Sequence, residues 1–322
     1  LWIIETMHIP DGFLDAKTIL AASALSIGGV GYAMRRATRA LPPRRVPLMG
    51  LAAAFVFAAQ MINFPVLGGT SGHLVGSVLV AVLLGPSAAV VVMTAVLIVQ
   101  CLLFGDGGLL SLGANVFNMA VLATMGGYGI FRMVRSCARG PSGLILAAAF
   151  AGWCSTVLAS VACAGQLALS HTAAWSVVFP AMFHIHMFIG LGEGLITGLV
   201  LSAILKARPE LLQEHTAAPP APSVKGSWFV YGLILVAGLV VFVAPFASPW
   251  PDGLDRVAQM LGFAQKAESS GVLPAPMADY HIPNTPSVGW STACAGMIGT
   301  GVAFVLAWVL ARALTRKFPA QK

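Results

Sequence analysis

The chain has 322 residues, of which 58% are hydrophobic and 9% charged, and its net charge is +7. Ordinary soluble domains are about 45–50% apolar and about 25% charged, so this composition excludes a soluble globular enzyme and a disordered protein. It also excludes a nucleic-acid binder, because the 18 basic residues sit mostly in short clusters between apolar runs.

A helix needs about 20 predominantly apolar residues to cross a bilayer. The apolar runs predict an all-α integral membrane protein with about nine transmembrane helices. In chain order they fall near 17–34, 47–62, 74–85, 87–104, 109–131, 143–165, 184–205, 228–247 and 289–311. The third is short, and Gly85-Pro86 divides it from the fourth. The five cysteines are odd in number and form no CxxC; they are read as small buried hydrophobes with no disulfide framework.

Positive charge sets orientation. Basic clusters follow the first span (Arg35 to Arg45), the fifth (Arg132, Arg135, Arg139) and the seventh (Lys206, Arg208, Lys225), and close the chain from Arg312 to Lys322. If these loops face the cytoplasm, 15 of 18 basic residues are inside and eight of eleven acids lie outside or at the outer rim. An odd number of spans agrees with an N-terminus outside and a C-terminus in the cytoplasm. Composition divides the chain into a seven-helix body at 1–206, a Pro- and Ala-rich cytoplasmic linker at 207–227, and a two-helix module with an outer loop at 228–322.

After LWIIET the chain reads MHIPDGF. Leu1 is what literal translation of an alternative start codon gives, so the native polypeptide is expected to begin at Met7. A free amine at Met7, the backbone nitrogen of His8 and the His8 imidazole can then close adjacent five- and six-membered chelate rings. Planar nitrogen ligation suits Ni(II) or Cu(II), and because the backbone nitrogen must lose its proton, affinity should fall in acid. The competing reading of His8 is an interfacial residue at a membrane surface. The loop NFPVLGGTSGH, residues 63–73, lies on the same predicted side. Its glycines permit tight turns that bring His73 towards His8; the competing reading of His73 is a cap on the following helix.

Further polar residues stand in apolar surroundings. Glu193 is the only formally charged residue well inside a span, and intramembrane charges are functional candidates by default. It follows His186 by seven positions, two helical turns, so both can face the bundle interior. Glu193 can orient the site, relay a proton or make a structural hydrogen bond between helices. Asn115 and Asn118 can bond the loop carrying His73 or cap helices, and Asn63 and Ser71 are similar supporting candidates. Asp106 in FGDGG is read as a turn residue, and His281 as exposed. Small residues recur at spacing four in the first span, at Ala22/Ser26, Ala24/Gly28 and Gly29/Ala33, a pattern that lets helices approach closely in lipid.

MHIPDGF, MINFPVLGGTSGHLVGSVLVAVLLGP, FGDGGLLSLGANVFNMA and HMFIGLGEGLIT together resemble the CbiM/NikM family, the substrate-capture components of energy-coupling factor (ECF) transporters for cobalt and nickel. After the linker, PDGLDRVAQ and PMADYHIP resemble the fused CbiN/NikN-type module, with Asp255 where the family form, near PDGLE, has Glu. The resemblance implies a site for transported Ni(II) or Co(II) made by the Met7 amine, the backbone nitrogen and ring of His8, and the ring of His73. Leu1–Thr6 departs from the pattern, since an uncleaved extension removes the amine. The resemblance also implies no catalytic activity and no resident cofactor, a place in the cell inner membrane, and two kinds of partner: a transmembrane coupling subunit and ATPase subunits. The face of the first span is the expected contact for the coupling subunit. No GxxxxGK[ST] phosphate loop occurs, so ATP hydrolysis would reside in those partners. The alternative is a proton-coupled secondary carrier or channel for a divalent metal. A membrane-embedded metalloprotease is disfavoured, because no HExxH occurs.

Overall fold

The computed structural model describes residues 8–215, 227–267 and 273–316; Leu1–Met7 and residues 216–226 of the expected linker lie outside the described residues. The chain begins with α1 (Ala16–Ala40), whose N-terminus is capped by Asp15 accepting from Thr18 N–H, and α2 (Val46–Gln60). A small antiparallel hairpin follows, β1 (Phe64–Val66) and β2 (Thr70–Gly72). The sequence reading took this stretch as a loop. Gly68 and Gly69 supply its turn, with φ of +83° and +70°, values that glycine adopts readily.

Next come α3 (Ser77–Leu84) and α4 (Pro86–Val99), the latter continued by a π-helical turn at Gln100–Phe104. Then α5 (Leu112–Asn115), a π-helical stretch at Val116–Leu122 and α6 (Ala123–Cys137) form one helical run. The long helices α7 (Gly140–Leu169) and α8 (Trp175–Ala207) pack as a pair. Glycines let them approach: a Cβ on Gly194 would lie 2.6 Å from the Ala149 carbonyl oxygen. The second module supplies α9 (Ser227–Gly238), the short amphipathic α10 (Gly253–Leu261) and α11 (Val288–Arg316).

Among the described residues, five helical segments are long and apolar enough to cross a membrane: Pro86–Phe104, Gly140–Leu169, Trp175–Ala207, Trp228–Phe246 and Val288–Thr315. The span expected near 74–85 is the eight-residue α3, about 12 Å long against a hydrocarbon core of about 30 Å. It is a buried half-helix enclosed by protein, with Val78, Leu79 and Val80 all in the core. Large apolar side chains such as Leu20, Ile27, Leu195, Leu199 and Phe242 point outward, as expected of helices solvated by lipid.

The second module packs against the first. α11 lies along α2, where Gly299 meets Phe57 and Phe104 and Gly50 meets Phe304. α10 lies on α8. The start of the expected linker is also docked: Pro209–His215 forms a 3₁₀ segment whose Leu212 is buried with Val78 and Leu201.

Candidate metal centre

Residues 8–13 are threaded into one end of the bundle and pinned by main-chain contacts. Asn115 brackets Ile9, its Oδ1 accepting from Ile9 N–H at 2.9 Å and its Nδ2 donating to the Ile9 carbonyl at 3.1 Å. Asp11 accepts from the N–H groups of Leu109 and Ser111, both at 3.0 Å. Thr172 donates to the Phe13 carbonyl at 2.5 Å. These bonds leave His8 only 3% exposed.

Asp106 holds the His8 ring. Its Oδ1 accepts from Nδ1 at 2.7 Å, and its Oδ2 accepts from the Tyr280 hydroxyl at 2.6 Å. The expectation of a turn residue is half of the truth. Asp106 does sit between Gly105 and Gly107, with φ of +66° and +88°, but the turn delivers a buried carboxylate to His8. Gly107 is needed there, since a Cβ would stand 2.8 Å from His8 Cβ. Burial by itself would lower the His8 pKa; the charge of Asp106 and its hydrogen bond outweigh that, and the pKa is raised above 6.5. Burial pushes Asp106 the other way, but His8 and Tyr280 hold it below 3.8.

His73 follows β2 and stands opposite, with its ring centroid 5.9 Å from that of His8 and the planes at 51°. Metal–nitrogen bonds of about 2.0–2.1 Å put each centroid roughly 3 Å from a shared ion, so two rings on one ion lie up to about 6 Å apart. Both rings line a cavity of about 80 Å³, with Asn118, His186, Asp252 and Cys163 further round its wall. His8 Nε2 is buried without a hydrogen-bond partner. A six-membered chelate through the residue's own backbone nitrogen requires Nδ1 instead. Turning the ring about χ2 brings Nδ1 round and breaks the bond to Asp106. Among the described residues no three His, Cys, Asp or Glu side chains converge to hold a metal ion. Further ligands would be backbone nitrogen or the amine of Met7, which lies outside the described residues.

The supporting residues expected from the sequence are divided. Glu193 is fully buried and accepts from Val75 N–H at 2.5 Å and Gly76 N–H at 2.9 Å. It thereby fixes the chain just after His73. His186 lines the cavity, its Nδ1 donating to the Met182 carbonyl at 2.7 Å. Asn118 pairs reciprocally with Gln166, both bonds at 2.8 Å. Ser71 donates to the Trp250 carbonyl at 2.7 Å, and Asn63 accepts through its main-chain oxygen from Ser248 N–H at 2.8 Å. Ser71 and Asn63 therefore hold the second module rather than the histidines.

The sequence reading singled out PDGLDRVAQ and PMADYHIP by resemblance but gave neither Tyr280 nor the PDG segment a place at the site. Pro251 accepts from Ser71 N–H at 2.8 Å and from Thr70 at 3.0 Å. Asp252 caps α10 through Asp255 N–H at 2.8 Å and faces the cavity. Burial raises its pKa to about 7. Gly253 lies over His186, where a Cβ would stand 2.8 Å from Nε2. The motif PDGLD was visible; the cavity it covers was not.

These features define a multi-pass helical membrane protein with a paired-imidazole pocket at one end of its bundle. Residues 8–211 match the family model of CbiM, the cobalt uptake substrate-specific transmembrane region, and residues 226–316 match the PDGLE domain. The chain is 36% identical over 309 residues to the putative fused nickel transport protein NikMN of Archaeoglobus fulgidus, covering 95% of this chain and 98% of that one. It is 33% identical to the fused nickel transport protein NikMN of Rhodobacter capsulatus, over 84% of this chain and 82% of the relative. A crystal structure of a truncated transition metal transporter, 36% identical, superposes with a TM-score of 0.57 over 62% of this chain and 99% of its own. The chain belongs to the CbiM family and carries a PDGLE domain behind the CbiM region.

Proposed function

We propose that this chain captures Ni(II) or Co(II) as the substrate-specific membrane subunit of an ATP-driven importer of the ECF type. The observation that carries this reading is the pair of imidazoles, His8 and His73, facing one buried cavity with 5.9 Å between their centroids. His8 supplies a ring nitrogen and, after deprotonation, its backbone nitrogen; His73 supplies a second ring. In a polypeptide that begins at Met7, the terminal amine completes four nitrogens. Planar four-nitrogen ligation favours Ni(II), and both fused relatives described above are named as nickel transport proteins. Asn115 places His8 through the backbone of Ile9, and Glu193 places His73, as the residues around ligating histidines commonly do.

The capture domain is residues 1–206, the linker 207–227 and the CbiN/NikN-like module 228–322. The site faces the outside of the cell inner membrane and the basic loops face the cytoplasm. Release of a cation held by several nitrogens needs energy, which we assign to ATPase subunits acting through a transmembrane coupling subunit. Ala24 and Gly28 of α1 support a docking face there: both are exposed, and a Cβ on Gly28 would meet nothing within 4 Å. Ala22, Ser26 and Ala33 are instead packed inside.

The test is metal analysis and titration of the purified full-length chain. His8→Ala and His73→Ala should each abolish high-affinity Ni(II) and Co(II) binding while the protein still inserts. Wild-type metal content in both variants would sink the site. N-terminal sequencing of metal-loaded protein decides the Met7 amine: with residues 1–6 present, that ligand is ruled out.

A further inference from the structure

His186 presents an imidazole that the four-nitrogen set leaves unused. It lies on α8 and lines the same cavity as His8 and His73. Its Nδ1 is 2.7 Å from the Met182 carbonyl, one helical turn back. A carbonyl can only accept, so in the neutral ring the proton sits on Nδ1 and the lone pair on Nε2. Nε2 has no hydrogen-bond partner among the described residues. Gly253 packs on the ring edge that carries this atom: a Cβ there would stand 2.7 Å from Cε1 and 2.8 Å from Nε2. Any other residue would crowd the lone pair, and glycine leaves it bare. His186 is half-buried whereas His8 is buried, so of the two it is the one within reach of an arriving ion.

His8, by contrast, cannot receive an ion as it stands. The chelate needs its Nδ1, which is bonded to Asp106 at 2.7 Å, and it needs the backbone nitrogen to lose a proton. The ring has to turn and the amide has to ionise before the bonds form, and an ion that meets no ligand meanwhile diffuses away. His186 needs neither step, because its ring is already fixed by Met182 and its lone pair is free. We propose that Nε2 of His186 is a docking ligand for the transported cation: it takes the aquated Ni(II) or Co(II) first and passes it to His8 and His73. This rests on the reading of that pair as the capture site. Imidazole nitrogen is a suitable donor to such ions. Among the described residues no three His, Cys, Asp or Glu side chains converge on one point, so His186 stands apart from the pair as a station of its own, held to the ion by one ring and able to let it go. A station on the path lowers the barrier in both directions and leaves the end states unchanged.

The experiment uses the full-length chain in lipid nanodiscs. Loading with Ni(II) is followed by stopped-flow absorbance, and release is followed after addition of excess EDTA. His186→Asn keeps an N–H for the Met182 carbonyl and removes Nε2; His186→Gln takes its place if that variant does not insert. Loading and release should both slow by the same factor, roughly 10–100, the range that groups around metal ligands are worth. The dissociation constant should stay at its wild-type value, which a merely structural role of His186 would not leave alone. A second readout removes the capture pair: His8→Ala/His73→Ala should keep a weak Ni(II) site that is lost when His186→Asn is added. Wild-type rates in His186→Asn, a weakened dissociation constant, or equal weak binding by the double and triple variants would overturn the proposal. If wild type holds no nickel tightly, or His8→Ala/His73→Ala still does, the capture site fails instead, whatever His186 does.

Discussion

Replacing Glu193 separates a residue that shapes the candidate centre from one that only stabilises the bundle. Its carboxylate, fully buried, accepts from the main-chain N–H groups of Val75 and Gly76 at 2.5 and 2.9 Å. Glu193→Gln keeps one acceptor oxygen and turns an NH₂ towards the other amide. That forfeits one hydrogen bond to a charged group, about 1.5–3 kcal/mol. Glu193→Ala leaves two buried amides without this acceptor, about 1–3 kcal/mol each. Against these losses stands the desolvation of the buried carboxylate, itself several kcal/mol and absent from both variants. The terms nearly cancel, so the melting temperature in detergent should move by only a few degrees. The position of residues 75 and 76 has no such compensation. Gly76 holds φ at +78°, and its neighbour Val75 follows His73 by two residues. Nickel affinity should therefore fall by roughly 10–100-fold, read by competition titration alongside the melt. A Glu193→Gln protein that binds nickel like wild type, whatever its melting temperature, refutes the idea that this carboxylate places His73.

Three further outcomes follow from the geometry. Gly253→Ala should lift α10 from α8, because the added Cβ would stand 2.7 Å from both His186 Cε1 and Ile189 Cδ1; thermal melts should fall, and an unchanged melt would show that the contact yields freely. Metal binding should weaken in acid from above pH 6.5, because the His8 pKa is raised and its proton competes with the ion. The His8–Asp106 pair acts on stability in the opposite sense, fully present between 3.8 and 6.5 and lost as pH rises through the raised value of His8; calorimetric titration from pH 8.5 to 5.5 that found nickel affinity flat would contradict the ligand assignment. Changing Ala24 and Gly28 together to Leu should leave equilibrium nickel binding intact and reduce ATP-dependent accumulation by the complete transporter, since both positions are exposed on α1 and lie outside the cavity; accumulation at the wild-type rate would move the docking face elsewhere.

Much of the arrangement was legible beforehand for reasons that act locally. Apolar runs marked the helices, because burial in lipid or protein core is a property of a stretch. His8 stood out as the residue after an expected start at Met7 and His73 as an imidazole ending a glycine-rich loop, and the structure does bring their rings together. Glu193 was conspicuous because a charge within an apolar helix demands a partner. That its partners are two backbone amides just before a half-helix could not be read, since any donor would have satisfied it. Asp106 was read as a turn residue because glycines flank it, and the glycines do make the turn. Their second effect, clearing space for His8 Cβ, depends on a neighbour far away in the chain.

The sequence by itself determined a helical membrane protein, its two family segments and the pair of histidines, because hydropathy, charge bias and short motifs are written over runs of neighbouring residues. The tertiary structure decided which carboxylate holds His8, which side chain holds that carboxylate, and what covers the cavity. Asp106 lies 98 positions from His8, and Tyr280 lies 174 from Asp106. Contacts across such separations arise only when α2, α4 and α11 pack and carry their loops to the same end of the bundle. No local periodicity encodes that meeting, because each loop obtains its partner from the packing of helices remote from it in sequence.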